Sequence, residues 1–157
     1  MRKLKLYLET SVWNFYFADD APEKRDVTIQ FLDLVQEGKY DIFISTVVFD
    51  EINRASMEKQ KRLLQLIQTH HPKELTLTEE VLFLASRYIE EQALPSRATD
   101  DAKHVAAATC YAMDALISWN LKHLANLNKR RMIQSVNTKE GFSWILDLLT
   151  PMEVSYE

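Results

Sequence analysis

Glycine and cysteine are both scarce in this 157-residue chain, which carries two of the first and one of the second. With only Gly38 and Gly141, no Gly-rich phosphate loop, dinucleotide fingerprint or serine-hydrolase elbow can be written, because each needs glycines where backbone turns tightly or approaches a ligand. Cys110 alone excludes an internal disulfide and a Cys-rich zinc site. In its alanine-rich helical stretch it reads as a small core residue in a reducing compartment. No apolar run approaches the roughly 20 residues of a membrane span, and the basic start Met1-Arg2-Lys3 runs into a strand pattern rather than a signal-peptide apolar region. The expected location is the cytoplasm, with no membrane partner.

Positive charge is in deficit too: 19 Lys and Arg against 23 Asp and Glu leave a net charge of −4. That argues against broad, non-specific nucleic-acid binding and leaves room for a local basic surface beside an acidic site. Apolar residues are plentiful, at 46%, so a chain this long can bury a core without a disulfide or a structural metal, and one domain spanning 1–157 is expected.

Leu4, Leu6 and Leu8 alternate with Lys3, Lys5 and Tyr7, a strand that gives way to a polar loop at Glu9-Thr10-Ser11. Beyond the turn-like Asp19-Asp20-Ala21-Pro22, helical spacing of Val27, Phe31, Leu34 and Val35 runs to Gln36, with Gly38 as the stop. Residues 40–45 form a second strand, and Ser45-Thr46 cap a helix with a Val48, Ile52, Ala55 stripe. An amphipathic helix follows over 57–70, then a short strand at Leu75-Thr76-Leu77 and a helix capped by Thr78. Thr99 opens a small-residue helix through Ala108, Leu116-Ile117-Ser118-Trp119 is the next strand, and the last is placed at 145–149. Alternating strands and helices favour an α/β fold, a mostly parallel sheet covered on both faces.

Ligands of such sheets collect beyond the carboxyl ends of the strands, and that is where acids stand in this sequence. Glu9 follows the first strand, Glu51 lies in the helix after the second, Asp100 and Asp101 open the alanine helix, and Asn120 follows the strand ending at Trp119. Helical geometry puts Glu51 on the Val48–Ala55 stripe, while Asp50 shares a solvated face with Thr46, Asn53 and Arg54. Asp101 likewise aligns with Val105, Ala108 and Ala112, whereas Asp100 aligns with Lys103, Ala107 and Tyr111 and suits the helix dipole. An inward Glu51 requires a buried partner, such as Arg97, or a cation. Carboxylates held together repel, and a divalent cation relieves the repulsion; oxygen-only ligation fits Mg²⁺ or Mn²⁺. The spacing of His104 and His123 makes no zinc site.

Four blocks, Leu6-Tyr7-Leu8-Glu9-Thr10-Ser11-Val12, the run from Ser45 to Ile52, that from Asp101 to Ala108, and that from Leu116 to Leu124, resemble the PIN-domain family in order and spacing. The resemblance implies a three-layer α/β/α sandwich, and activity like that of the toxin ribonucleases of VapC-type toxin–antitoxin pairs. It also implies an RNA substrate, an antitoxin partner, a homodimer, and Mg²⁺ or Mn²⁺ held by Glu9, Glu51 and Asp101. Two departures stand out: the first acid is usually Asp, and Asn120 occupies a position where many active members carry an acid, offering only a neutral carbonyl. Asp100 is a reserve acid, and Thr10, Ser11 and Ser118 are auxiliary candidates that orient water or cap a helix. His104 and His123 read as packed, hydrogen-bonded residues and Lys129, Arg130 and Arg131 as a solvated face, while Trp13, Phe15, Tyr16 and Phe17 are left open between core and interface, core being the usual place of an aromatic stripe. The leading reading is a metal-dependent endoribonuclease; the alternative is a PIN-like RNA- or protein-binding module weakened in catalysis by Asn120. An Asp-x-Asp phosphate-handling enzyme is set aside, since Glu9-Thr10-Ser11 has no acid two residues on.

Overall fold

The computed structural model describes residues 2–120 and 126–155; His123 lies outside them. Strands β1 (Leu4–Leu8), β2 (Tyr40–Ser45), β3 (Lys73–Leu75), β4 (Ala115–Ile117) and β5 (Asp147–Leu149) form one sheet in the order β3-β2-β1-β4-β5, with every pairing parallel. Parallel neighbours cannot be joined by a tight turn, so helices cross between them and cover both faces. Helices α1 (Thr10–Phe15), α2 (Pro22–Gln36), α3 (Thr46–Ile52) and α4 (Met57–His70) follow β1 and β2; α5 (Glu79–Glu90) and α6 (Thr99–Cys110) follow β3; α7 (Leu127–Lys139) and α8 (Pro151–Ser155) complete the described chain. Among the described residues, no helix is long and apolar enough to cross a membrane.

Alternation along the strands sorts the core into two halves. Leu6, Leu8, Ile42, Ile44, Ala115 and Ile117 pack with Val12, Trp13, Phe31, Ile52 and Leu63, while Tyr7, Phe43, Leu116 and Leu148 pack with Val81, Leu84, Tyr88, Val105 and Ile133. The result is the expected α/β sandwich of three layers. The second face of β1 is therefore not solvent: Tyr7 is fully buried there and only Lys5 is exposed.

Several boundaries differ from the sequence reading, each for a physical reason. Glu9-Thr10-Ser11 is not a loop: Glu9 is the N-cap of α1, accepting from the Ser11 N–H with its side chain. The edge strand β3 lies two residues earlier than expected, because its register is set by pairing of Lys73 to Leu75 with Phe43 to Ser45 rather than by its apolar side chains. The strands read at 116–119 and 145–149 are shorter, at Ala115–Ile117 and Asp147–Leu149. Helix α3 ends at Ile52, so Ala55 lies past it in the turn. Cys110 is only partly buried, and burial pushes its thiol up to about 12, which keeps it protonated at neutral pH. Trp13 is core, but Phe15, Tyr16 and Phe17 stay partly exposed.

Helix α2 ends as expected at Gly38, in a Schellman arrangement: the Lys39 N–H donates to the Leu34 carbonyl at 3.1 Å and the Gly38 N–H to that of Val35 at 3.0 Å. Gly38 has φ +87°, and a Cβ there would meet nothing closer than Lys3 Nζ at 3.7 Å. The cost of a side chain at this position is thus conformational rather than steric. Gly38→Ala is expected to destabilise the protein by about 1 kcal/mol, read as a lower urea midpoint with an unchanged slope.

Candidate metal centre

The strand order reverses between β1 and β4, since β2 and β3 extend one side of β1 and β4 and β5 the other. The crevice outside the carboxyl ends at such a point is where open α/β sheets bind ligands. Glu9 and Ser118 stand there, each one residue past its strand. The Glu9 N–H donates to the Ile117 carbonyl at 3.0 Å, carrying the pairing of β1 with β4 one residue further.

Glu9 is 2% exposed, and a carboxylate so placed needs donors. Its Oε1 accepts from the Ser11 N–H (3.1 Å), the Ser11 hydroxyl (2.5 Å) and the Ser118 hydroxyl (2.7 Å). Those hydroxyls are oriented in turn: the Trp119 N–H donates to Ser11 Oγ and the Asn120 N–H to Ser118 Oγ, each at 2.9 Å. Both auxiliary serines therefore serve the Glu9 carboxylate directly. Oε2 takes no hydrogen bond among the described residues and keeps its donor capacity for a cation.

Glu51 projects from α3 with its side chain 23% exposed, so it is half-buried rather than fully inward. Its partner is not Arg97, which is exposed. Oε1 accepts from the Thr10 hydroxyl at 2.6 Å and lies 2.5 Å from Nε2 of the fully buried His104. The other ring nitrogen of His104 meets the Tyr7 hydroxyl at 2.6 Å, which is 2.7 Å from Ser45 Oγ. Ser45 Oγ also caps α3 by accepting from the Val47 N–H. A buried relay thus links the helix carrying Glu51 to the imidazole that orients its carboxylate.

Burial pushes the Glu51 carboxyl up, but His104, Thr10 and Arg54 outweigh it and hold the group below its ordinary value. Burial alone would lower His104; the hydrogen bond to Glu51 and the charges of Glu9, Glu51 and Asp101 raise it overall. Glu51's contribution to stability is complete above its ordinary 4.5 and lost as pH falls through its lowered value. That of His104 is complete below its ordinary 6.5 and lost as pH rises through its raised value. The pair therefore supports the fold most between those two limits.

Asp101 lies in the first turn of α6 and makes no hydrogen bond or ion pair among the described residues. Burial raises its carboxyl, and the charges of Glu9, Glu51 and Asp100 add to the shift against the pull of His104. Its neighbour Asp100 is engaged elsewhere, in a 2.7 Å ion pair with Arg54. Asn120 is exposed at the end of β4 and contributes its N–H to Ser118. Arg130, in the basic stretch of α7, donates to the Leu148 carbonyl at 3.2 Å.

Glu9, Glu51 and His104 offer ligand atoms within 4.8 Å of one another, and Asp101 stands outside that group. His104 is the residue the sequence reading left out of the donor set. Both of its ring nitrogens already have partners, however, whereas Asp101 has two unspent oxygens in a negative field. The hydrogen bonds accordingly make His104 the group that orients Glu51.

The three-layer sandwich with its five-stranded parallel sheet is PIN-like in fold. No family model and no curated protein matches the sequence. Among solved structures, the chain is similar to one in the crystal structure of VapBC2 from Rickettsia felis bound to a DNA fragment from their promoter. The TM-score is 0.60 at 15% identity, over 92% of this chain and 98% of that one. At this identity the likeness is one of fold.

A carboxylate raised in the folded state costs stability when ionised, and the cost is relieved as pH falls through the raised value towards the ordinary 3.8. Asp101→Asn is therefore expected to raise the melting temperature of the metal-free protein at pH 7, by a margin that narrows on acidification. Thermal melts in EDTA at successive pH values check this, and a variant less stable than wild type at pH 7 contradicts the assignment.

Proposed function

We infer that the protein is a metal-dependent endoribonuclease, with Glu9, Glu51 and Asp101 holding Mg²⁺ or Mn²⁺. One observation carries the reading: two carboxylates from separate elements, Glu9 and Glu51, bring ligand atoms within 4.8 Å of one another at the switch point of a parallel sheet, and Asp101, at the start of α6, is raised by burial and by the charge of both. When bound, the cation lowers the pKa of water and offsets charge on a phosphodiester. The chain's own residues do the rest. Ser11 and Ser118 hold Glu9 with Oε2 free, His104 and Thr10 hold Glu51 by Oε1, and the first turn of α6 presents Asp101.

The PIN-like fold, and its likeness to a chain of a VapBC2 complex, support a cytoplasmic toxin of a toxin–antitoxin pair. Its partners are then an RNA substrate, an antitoxin that covers the acidic cleft, and a second copy in a homodimer. Charge-neutral Glu51→Gln is expected to reduce Mn²⁺-dependent RNA cleavage to the level of an EDTA control, with the fold checked by circular dichroism. Full activity in that variant refutes the metal role of Glu51.

Asn120 favours a second reading. It brings no charge to the end of β4, where an acid would add to the field that binds cations, so catalysis is low, or the protein works as an RNA- or protein-binding module. Asn120→Asp is expected to raise both Mn²⁺ affinity and cleavage rate. A variant with tighter metal binding and no cleavage at all favours the binding module.

A further inference from the structure

Helix α3 carries Glu51 in its last turn and is seven residues long, well short of the roughly 12 that an isolated helix needs in water. Its two ends are tied to one another through the core. At the start, Ser45 Oγ accepts from the Val47 N–H at 3.3 Å and lies 2.7 Å from the Tyr7 hydroxyl. At the end, Glu51 Oε1 meets His104 Nε2, and the same imidazole reaches the Tyr7 hydroxyl through Nδ1 at 2.6 Å. Cap, phenol, imidazole, carboxylate and helix thus close a loop, and Tyr7 brings strand β1 into it.

Tyr7, Ser45 and His104 are all fully buried, so a polar atom that loses its partner there has no water to turn to. A phenol both donates and accepts, and Tyr7 therefore satisfies Nδ1 in either protonation state of the imidazole. A flip of that ring exchanges nitrogen for carbon on both sides and forfeits both hydrogen bonds at once. The Tyr7 and His104 rings also pack edge to face, with centroids 5.5 Å apart at 63°. Glu9 follows β1 directly, two residues beyond Tyr7, with its N–H fixed on the Ile117 carbonyl. One strand thus places Glu9 by its backbone and reaches Glu51 by its phenol.

Resting on the metal-dependent reading above, we propose that Tyr7 is a positioning residue of the metal centre, setting through His104 the place of the Glu51 carboxylate relative to Glu9. It touches neither cation nor substrate. Groups that hydrogen-bond behind a metal-binding carboxylate fix its direction, and Tyr7 does this at one remove. Loss of its hydroxyl frees the imidazole to turn and releases Glu51 on a short helix whose capping serine has lost the same tie.

The test measures Mn²⁺ affinity, from the electron paramagnetic resonance of the free ion, in wild type, Tyr7→Phe, His104→Gln and the double variant, with melting curves to check folding. Tyr7→Phe keeps the aromatic ring and is expected to raise the Kd for Mn²⁺ about tenfold, as does His104→Gln. The double variant is expected to bind no worse than His104→Gln alone, because Tyr7 acts through the imidazole that this variant has already lost. In metal-free protein labelled with ¹⁵N-histidine, Tyr7→Phe is expected to move the His104 Nδ1 resonance, a signature that packing alone would leave in place. Losses that add in the double variant overturn the proposal, since they make Tyr7 a packing residue independent of His104. Parental Mn²⁺ affinity or an unmoved Nδ1 resonance in Tyr7→Phe overturns it as well, and these two readings decide without His104→Gln if that variant fails to fold. Wild type that binds no Mn²⁺ refutes the metal reading itself, whereas wild type that binds it and Tyr7→Phe that binds it equally well refute the role of Tyr7 alone.

Discussion

A carboxylate can sit buried at the end of a strand only if its surroundings supply the hydrogen bonds that water would have made. Glu9 meets that condition through residues from both sides of the switch point. Its backbone extends the pairing of β1 with β4, its side chain caps α1, and the same oxygen takes hydroxyls from α1 and from the end of β4. The crevice thus holds a negative group fixed by strand, helix and neighbouring strand at once. Everything else at the site is arranged around that charge.

The other two acids are treated differently, and the difference is chemically useful. Glu51 is stabilised as a carboxylate by His104, which is locked by Tyr7 and Ser45 from beneath. Asp101 has no such partner and is held in the field of its neighbours. One acid is oriented and compensated, the other exposed to repulsion that a cation would relieve. Fully compensated acids would give a stable structural cluster with little demand for metal; wholly uncompensated ones would weigh on the fold, since buried unpaired charge is costly. The observed mixture limits the penalty and leaves only Asp101 among the three without a hydrogen-bonding partner among the described residues.

Much of this was legible along the chain. The period-2 and period-3.6 patterns placed β1, β2, α4 and α5 closely, because those segments bury one face and their side chains must alternate accordingly. Glu9 and Glu51, whose ligand atoms the fold brings within 4.8 Å of one another, could be picked out because acids just past strands are where a parallel sheet binds ligands. The misplacements fall where local pattern is weak. Edge strand β3 owes its position to pairing with β2, and α1 begins directly after Glu9 because that residue caps it, which a run of polar residues does not reveal. Phe15 and Phe17 could be read as core or as interface, and a helix of six residues cannot bury every face of an aromatic run.

The sequence by itself determined the class of fold, the acidic character of the strand ends and the absence of glycine-loop or cysteine chemistry, since these follow from composition and from periodicities set by backbone geometry. Which acid is compensated and which is not was decided only in three dimensions. His104 stands 53 residues from Glu51, and Ser118 109 from Glu9, and nothing in either local pattern announces the pairing. Proximity across such separations is a property of the folded core, and it sets charge, orientation and access at the site.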